Sequence, residues 1–350
     1  MENVFIAAGG TGGHINAALS LEEVLKTDYN VVFLSGERHL DYKLFAGKNC
    51  LHIKSRPLRS RNPISLGVNL ILNAVVFIKL YWLFLLKKPK FVIGAGGYVC
   101  GPSLLAAKLQ FRPIFIIEQN AVAGMTNKLL SYIANLIFTN FEQTKGLPQR
   151  VKNRIRNHGN PIRQNITFNK NKVGEELNIL IFGGSLGATQ INEAVKNVLE
   201  QNFSKSLNIV HQVGKDNLFE VENVDKSINY KQVEYIDDMD KQYHWANIII
   251  SRAGASTISE LRVVKKPALL IPYPAAVDNH QYYNAENLKK ENLSFIEVLD
   301  HTQPATDLAK AIVLNINKIN SQNLFYSDSR VVNNAVDGIV EEIKNYVRNK

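Results

Sequence analysis

Two glycine-rich turns hold the residues with the clearest chemical capacity. The first is Gly9-Gly10-Thr11-Gly12-Gly13-His14, the second Gly183-Gly184-Ser185-Leu186-Gly187-Ala188. Each follows a short apolar run, Val4–Ala8 or Leu177–Phe182. Each precedes apolar residues at helical spacing: Leu19, Leu21 and Leu25 in one case, Ile191, Val195 and Val198 in the other. A glycine turn between strand and helix lets backbone N–H groups approach a ligand closely, and the positive end of the helix favours negative charge there. The chemistry implied is the cradling of a diphosphate, with the Ser185 hydroxyl as an added donor. Neither turn has the G-x-G-x-x-G spacing, the first lacks the acidic strand end about 20 residues on that a nicotinamide dinucleotide needs, and neither is a Walker A loop. Taken alone, each also reads as a plain tight turn.

Two further clusters add polar chemistry. Ser251-Arg252-Ala253-Gly254-Ala255-Ser256-Thr257-Ile258-Ser259-Glu260 follows the apolar run Ile248–Ile250. Small residues again open a helix, and Glu260, about two turns in, could accept bonds from the vicinal hydroxyls of a ribose or could simply be solvated. Asp278-Asn279-His280-Gln281, with Asn284 beyond, suits hydrogen bonding to sugar hydroxyls, or else a loop with Asp278 as a helix cap. The eight histidines are scattered with no pair at i, i+4, so no metal-ligand spacing stands out.

The elements that must position these residues follow a repeating order. Strand candidates at Val31–Leu34, Phe91–Ile93, Ile114–Ile117, Leu136–Phe138, Ile209–Val213, Ile248–Ile250 and Ala268–Ile271 alternate with helical stretches, which predicts parallel sheets. The glycine turns lie 174 residues apart, half of a 350-residue chain, and this echo predicts two Rossmann-like domains in tandem. The polar, turn-rich stretch from Gly159 to Lys172 reads as the linker. The expected division is a first domain over 1–162, a second over 163–332 and an amphipathic tail helix over 333–350, with Val336, Ile339, Val340, Ile343 and Val347 on one face. The start of the chain reads as a first strand and not as a signal peptide. Two cysteines, Cys50 and Cys100, make no disulfide framework and fit a reducing cytoplasm.

Charge is unevenly placed. The net charge is +10, with 45% hydrophobic residues, an ordinary globular composition. Residues 1–165 carry +13 and residues 166–350 carry −3. No Asp or Glu lies between Asp41 and Glu118, where 12 Lys and Arg do. Such a face meets an anionic surface, nucleic acid or membrane. Inside it lies Ile64–Leu86, very apolar, with Ser65, Asn69 and Asn73 recurring every four residues and Lys79 interrupting. The segment reads as a core helix, as a spanning helix, or as a helix whose apolar face dips into a membrane interface. Tyr81, Trp82 and Phe84 beside Lys87, Lys88 and Lys90, with Lys54, Arg56, Arg59 and Arg61 before, favour the interface. The basic region lacks the interleaved aromatics of RNA motifs, so a membrane fits better than nucleic acid.

Seven motifs now stand in one order: Gly9–His14, Gly94–Pro102, Ile117–Gly124, Gly159–Arg163, Gly183–Ala188, Ser251–Glu260 and Asp278–Gln281. Together they resemble the MurG family, the bacterial UDP-N-acetylglucosamine:undecaprenyl-diphospho-muramoylpentapeptide N-acetylglucosaminyltransferases of peptidoglycan synthesis. The resemblance covers nearly the whole chain. It implies α/β architecture with two Rossmann-like domains facing a cleft (GT-B) and a C-terminal helix that crosses back to the first domain. It implies a peripheral enzyme on the cytoplasmic face of the bacterial membrane, serving cell-wall growth, cell shape and division. N-acetylglucosamine passes from its UDP donor to the 4-hydroxyl of N-acetylmuramic acid in lipid I, with inversion, using no nicotinamide and no metal ligated by protein. The partners implied are UDP-N-acetylglucosamine, lipid I and, through residues 54–90, an anionic membrane surface, with no nucleic acid.

Carried over motif by motif, the resemblance places Thr11, Gly12 and Gly13 near the donor's diphosphate and sugar, and Asn120 and Gln281 on the sugar, Gln281 supported by Asp278 and Asn279. Arg163 offsets diphosphate charge, and Ser185 with the N–H groups after it cradles the diphosphate. Ile236 packs against uracil, and its backbone reads the base edge. Ala255, Ser256, Thr257, Ile258, Ser259 and Glu260 wrap the nucleoside. His14, with an ordinary imidazole pKa near ~6.5, is the candidate general base; a hydrogen bond to a phosphate or a loop carbonyl is the alternative, and Glu118 is the fallback base. Leu186 stands where the family commonly has Gln, and Asn16-Ala17 where it often has Pro. The rival reading is a related GT-B transferase acting on another lipid acceptor such as diacylglycerol.

Overall fold

The structure is a computed structural model, and it describes residues 1–58, 62–168, 176–184, 187–221, 223–321 and 334–349. Arg59, Arg61, Ser185, Leu186 and the linker residues 169–172 lie outside the described residues. The chain forms two compact units, Met1–Gln164 with Asn334–Lys350, and Asn165–Asn333.

The first unit runs β1 (Glu2–Ala8), α1 (Gly12–Leu25), β2 (Tyr29–Ser35), α2 (His39–Leu44), β3 (Cys50–His52), α3 (Pro63–Lys87), β4 (Val92–Gly96), α4 (Cys100–Leu109), β5 (Ile114–Glu118), α5 (Met125–Leu130), β6 (Leu136–Thr139) and β7 (Ile155–Asn157). The second runs β8 (Leu177–Phe182), α6 (Thr189–Leu199), β9 (Leu207–Gln212), β10 (Ile228–Val233), α7 (Met239–Trp245), β11 (Ile248–Ser251), α8 (Ala255–Val264), β12 (Ala268–Leu270), α9 (His280–Glu291), β13 (Ile296–Val298) and α10 (Ala305–Ser321). The last helix, α11 (Ala335–Arg348), belongs to the first unit.

Both sheets are parallel, as the alternation of strand and helix predicts. Their orders are β3-β2-β1-β4-β5-β6-β7 and β10-β9-β8-β11-β12-β13. In each, chain order reverses beside the first strand, between β1 and β4 or between β8 and β11. At such a switch point the loops at the carboxyl ends of the strands diverge and leave room for a ligand. Strands covered on both faces read as continuous apolar runs because successive residues feed opposite layers. In β1, Val4, Ile6 and Ala8 pack with Ile15, Leu21 and Leu25 of α1 and with Val336, Ile339 and Ile343 of α11. Phe5 and Ala7 pack the other way, with Val76, Leu80 and Phe84 of α3 and Leu104 of α4. In the second unit Ile179 and Ile181 pack with Ile191 and Val195 of α6 and Leu308 and Ile312 of α10.

The strands β3, β7, β10 and β13 carry no clear sequence signal. Three are only three residues long, and β10 is the polar edge strand Ile-Asn-Tyr-Lys-Gln-Val.

Helix α3 departs from a core helix. Asn62 caps it by accepting from the Ile64 and Ser65 N–H groups, Pro63 occupies the first turn, and Lys88 ends it in a left-handed conformation. It is 25 residues long, and its most apolar 18-residue stretch has mean hydropathy 1.9, enough by length and composition to cross a membrane, yet only 17% of that stretch is buried. Val76, Leu80 and Phe84 anchor it, while Ile64, Val68, Ile71, Val75, Ile78, Trp82 and Leu86 are exposed. In its polar stripe Ser65 is exposed, whereas Asn69 and Asn73 are half-buried and bonded to residues 55–57. Asn73 Oδ1 accepts from Ser55 Oγ (2.6 Å) and the Arg56 N–H (3.2 Å), its Nδ2 donates to Arg56 O (2.8 Å), and Asn69 Nδ2 donates to Pro57 O (3.0 Å).

Candidate active site

At the switch point of the first sheet, Thr11 caps α1, its Oγ1 accepting from the His14 N–H at 3.4 Å, so Gly12, Gly13 and His14 form the first turn. The His14 ring lies against Gly96 at the end of β4. A Cβ on Gly96 (φ +123) would come within 2.4 Å of the ring, and one on Gly97 within 2.2 Å of Gly9 O. Glycine is required at both by close approach. His14 Nδ1 sits 3.2 Å from Gly9 O. A carbonyl only accepts, so this bond assigns the proton of the neutral ring to Nδ1 and makes Nε2 the basic nitrogen.

Residues to which the sequence assigns no role here hold this turn. The buried Asp41 carboxylate accepts from the Gly10 N–H (3.1 Å), the Arg38 N–H (3.1 Å) and Ser35 Oγ (3.2 Å). Arg38 Nη1 donates to Gly10 O (3.1 Å), and its guanidinium lies 5.3 Å from the Tyr98 ring centroid. In the sequence Asp41 is only the last acid before a basic stretch.

Glu118, at the carboxyl end of β5, is buried. Its carboxylate accepts from the Asn120 N–H (3.0 Å), the Gly124 N–H (3.0 Å) and Asn127 Nδ2 (2.9 Å). Burial pushes its pKa up and these donors oppose the shift. The geometry makes Glu118 the organiser of the loop that carries the half-buried Asn120, with its oxygens turned inward. Arg163 is half-buried after the buried Asn160 and Ile162.

In the second unit the glycine turn leaves β8 under tight constraint. A Cβ on Gly183 would come within 2.3 Å of Ala188 Cβ, and one on Gly187 (φ +76) within 1.9 Å of Val213 O. Helices α6 and α8 start after Ala188 and Gly254, neither of which supplies a side-chain cap. They follow the neighbouring strands β8 and β11, so two positive helix ends without a side-chain cap among the described residues stand at the switch point, where an anion is favoured.

Around them, Gln212 at the end of β9 donates Nε2 to Gly184 O (2.8 Å) and accepts on Oε1 from the Ile236 N–H (2.9 Å). Ile236 is buried, and its amide hydrogen is committed to this bond. Glu260 is half-buried and accepts from the buried Tyr243 hydroxyl at 2.7 Å. Ala255, Ser256 and Thr257 form the first turn of α8, and the Ser256 hydroxyl is buried with no hydrogen-bond partner among the described residues. Ile258 and Ser259 face inward: Ile258 is in the core and Ser259 Oγ bonds back to Ala255 O (3.0 Å), so a ligand would meet their backbone and not their side chains. Gln281 Oε1 accepts from the Tyr273 N–H at 2.9 Å. Asp278 and Asn279 are exposed in left-handed conformations, and α9 starts at His280 without a side-chain cap, so Asp278 does not cap it. The buried Arg252 guanidinium, missed in the sequence, donates to Ile271 O (3.1 Å), Pro272 O (2.9 Å) and Gln190 Oε1 (3.2 Å), tying the loop before Gln281 to α6. Burial lowers its pKa to about 10, which leaves it cationic at neutral pH. Among the described residues no group of three His, Cys, Asp or Glu could hold a metal.

Two parallel-sheet α/β units, each with a glycine turn after its first strand, are the GT-B architecture found among sugar-nucleotide-dependent glycosyltransferases. The chain matches the Glycosyltransferase family 28 N-terminal domain over residues 4–139 and the family 28 C-terminal domain over residues 178–342. It is 38% identical over 82% of its length to a Myxococcus xanthus protein, of which it covers 78%, named UDP-N-acetylglucosamine–N-acetylmuramyl-(pentapeptide) pyrophosphoryl-undecaprenol N-acetylglucosamine transferase. It is 33% identical over its full length to a Francisella tularensis protein of the same name, of which it covers 99%. The crystal structure of Acinetobacter baumannii MurG superposes with a TM-score of 0.73 at 28% identity, over 99% of this chain and all of that one. A UDP-GlcNAc 2-epimerase from Methanocaldococcus jannaschii shares the fold alone, at 14% identity and a TM-score of 0.61 over 99% of this chain and 100% of that one. The chain belongs to glycosyltransferase family 28, and within it to the MurG transferases.

Proposed function

We propose that this protein transfers N-acetylglucosamine from UDP-N-acetylglucosamine to the muramyl 4-hydroxyl of undecaprenyl-pyrophosphoryl-N-acetylmuramyl-pentapeptide, the reaction its relatives' names describe. The observation that carries the donor half is the pair of uncapped helix ends after β8 and β11, with Gln212 and Glu260 beside them. In this reading the diphosphate takes the N–H groups of the two helix starts, with Ser185 and Arg163 adding donors. Glu260 takes the ribose hydroxyls, Ile236 packs on uracil, and Asn120, Gln281 and the Thr11–Gly13 turn contact the sugar. His14 Nε2 takes the proton of the acceptor hydroxyl as that oxygen attacks the anomeric carbon from the face opposite UDP. Negative charge that develops on the leaving UDP is spread over the helix dipoles and Arg163, a preorganised stabilisation of the oxyanion-hole kind.

The acceptor is lipid-linked, and the exposed apolar face of α3 beside Lys87 and Lys88 supports peripheral docking on the cytoplasmic face of an anionic membrane. The deciding experiment supplies radiolabelled UDP-N-acetylglucosamine with a soluble lipid I analogue and, separately, with diacylglycerol. Transfer to the lipid I analogue is expected, and transfer to diacylglycerol alone would overturn the acceptor assignment.

A further inference from the structure

Gln212 stands in register with Phe182 of β8 on one side and Val233 of β10 on the other, at the common carboxyl edge. It is 3% exposed, and its amide reaches both flanking loops, Gly184 two residues beyond β8 and Ile236 three beyond β10. Neither loop residue belongs to a strand or helix, so the sheet ladder fixes neither. Gly184 O accepts only, and the Ile236 N–H donates only. The amide therefore has one workable orientation, since turning it over would set oxygen against oxygen and N–H against N–H. Glu, Lys and Met reach about as far, but Glu only accepts, Lys only donates and Met does neither usefully. Gly184 O also receives the Gly187 N–H at 3.0 Å, so two donors engage this carbonyl and keep it from opposing an anion in the turn.

We propose that Gln212 is a positioning residue that locks the diphosphate turn and the base-reading loop at one separation, so that the two ends of a uridine diphosphate are gripped as one unit. This rests on the reading of the second unit as the donor site. The bond to Ile236 N–H also dictates what that loop offers a base. With its amide hydrogen used, recognition falls to its carbonyl, which suits the N3–H of uracil and not the N3 lone pair of cytosine.

The test uses the full-length enzyme and its Gln212→Met and Gln212→Glu variants, with calorimetric titration of UDP and CDP and steady-state kinetics. Both variants raise the Kd for UDP and the KM for UDP-N-acetylglucosamine about tenfold, the scale of a buried hydrogen bond broken with its partner left unpaired. Meanwhile kcat and the acceptor KM stay within about twofold. The preference for UDP over CDP falls in Gln212→Met, which releases the Ile236 loop, and survives in Gln212→Glu, which still accepts from it. A merely structural residue would lower the folded fraction and leave the UDP/CDP ratio per folded molecule untouched. A folded Gln212→Met with wild-type UDP affinity and ratio overturns the proposal. If that variant does not fold, Gln212→Asn, too short to span both loops, gives the same readouts. The underlying reading is separable: UDP binding by the wild type that Glu260→Ala abolishes and Gln212→Met leaves intact retains the donor site and overturns only the role of Gln212, whereas a wild type that binds no UDP overturns both.

Discussion

His14 shows how one bond decides which nitrogen a ring can offer. Because Nδ1 donates to Gly9 O, the neutral ring presents Nε2 as its base. His14→Ala should lower kcat by ~10²-fold or more, with KM for UDP-N-acetylglucosamine little changed. A near-normal kcat would move the proton transfer elsewhere. His211 makes the opposite case. It is fully buried, its Nδ1 lies 3.0 Å from the Tyr230 hydroxyl, and burial pushes its pKa down to about 3. The unfolded chain, with a value near ~6.5, takes up this proton first. Its contribution to stability is therefore complete above ~6.5 and is lost as pH falls toward the folded value, by about 1.4 kcal/mol per pH unit at most. Thermal melts at neutral and mildly acidic pH should show this slope in the wild type and a flatter one in His211→Gln; identical slopes would contradict a buried neutral imidazole. At this scale the sequence was partly legible. The glycine turns and Glu260 stand out by type and spacing, and His14 enters through the family resemblance. Asp41, Gln212 and Arg252 do not, because each acts on backbone atoms brought near only by folding, and a lone Asp, Gln or Arg in a sequence carries no trace of such partners.

At the scale of elements the contrast is sharpest in α3. Its length, apolar content and four-residue polar spacing were readable, and so was the helix itself, Pro63–Lys87. An outward apolar face was readable too, from the aromatic and basic residues around it. The work of the polar stripe was not: Asn69 and Asn73 tie down residues 55–57, contacts that only folding brings together. The core strands were legible because burial on both sides makes them uniformly apolar, whereas an edge strand such as β10 keeps polar residues and loses the signal. The exposed face leads to a direct prediction. Trp82 is 62% exposed, and Lys87 ends the same helix. An interfacial Trp contributes ~1.5–3 kcal/mol of burial and a juxtamembrane Lys ~1 kcal/mol. Trp82→Ser with Lys87→Glu should weaken binding to anionic vesicles by at least about tenfold while leaving the melting temperature unchanged, since neither side chain supports the core. Unchanged sedimentation with vesicles would remove α3 from the docking surface.

Over the whole molecule, charge and ligand chemistry divide along the same line. Residues 1–165 carry +13 and residues 166–350 carry −3, so long-range attraction to an anionic surface belongs to one unit. The second unit is near neutral overall, and in the proposed donor site an anion is held by helix ends and buried donors, which act locally and are little screened. Two ligands should therefore leave two separate footprints in hydrogen exchange of the full-length protein. UDP should slow exchange in the turn after β8, around Ile236 and in the first turn of α8, where uncapped amides gain an acceptor. Anionic vesicles should protect α3 and the exposed end of α4, including Leu105 and Leu109, and leave the UDP footprint unchanged. Raising salt from 0.05 to 0.5 M shortens the screening length severalfold, so the vesicle footprint should fade while that of UDP persists. A UDP footprint confined to Gly9–His14 would transfer the nucleotide to the first unit, and a vesicle footprint indifferent to salt would leave the apolar face of α3 to act without the basic surplus around it.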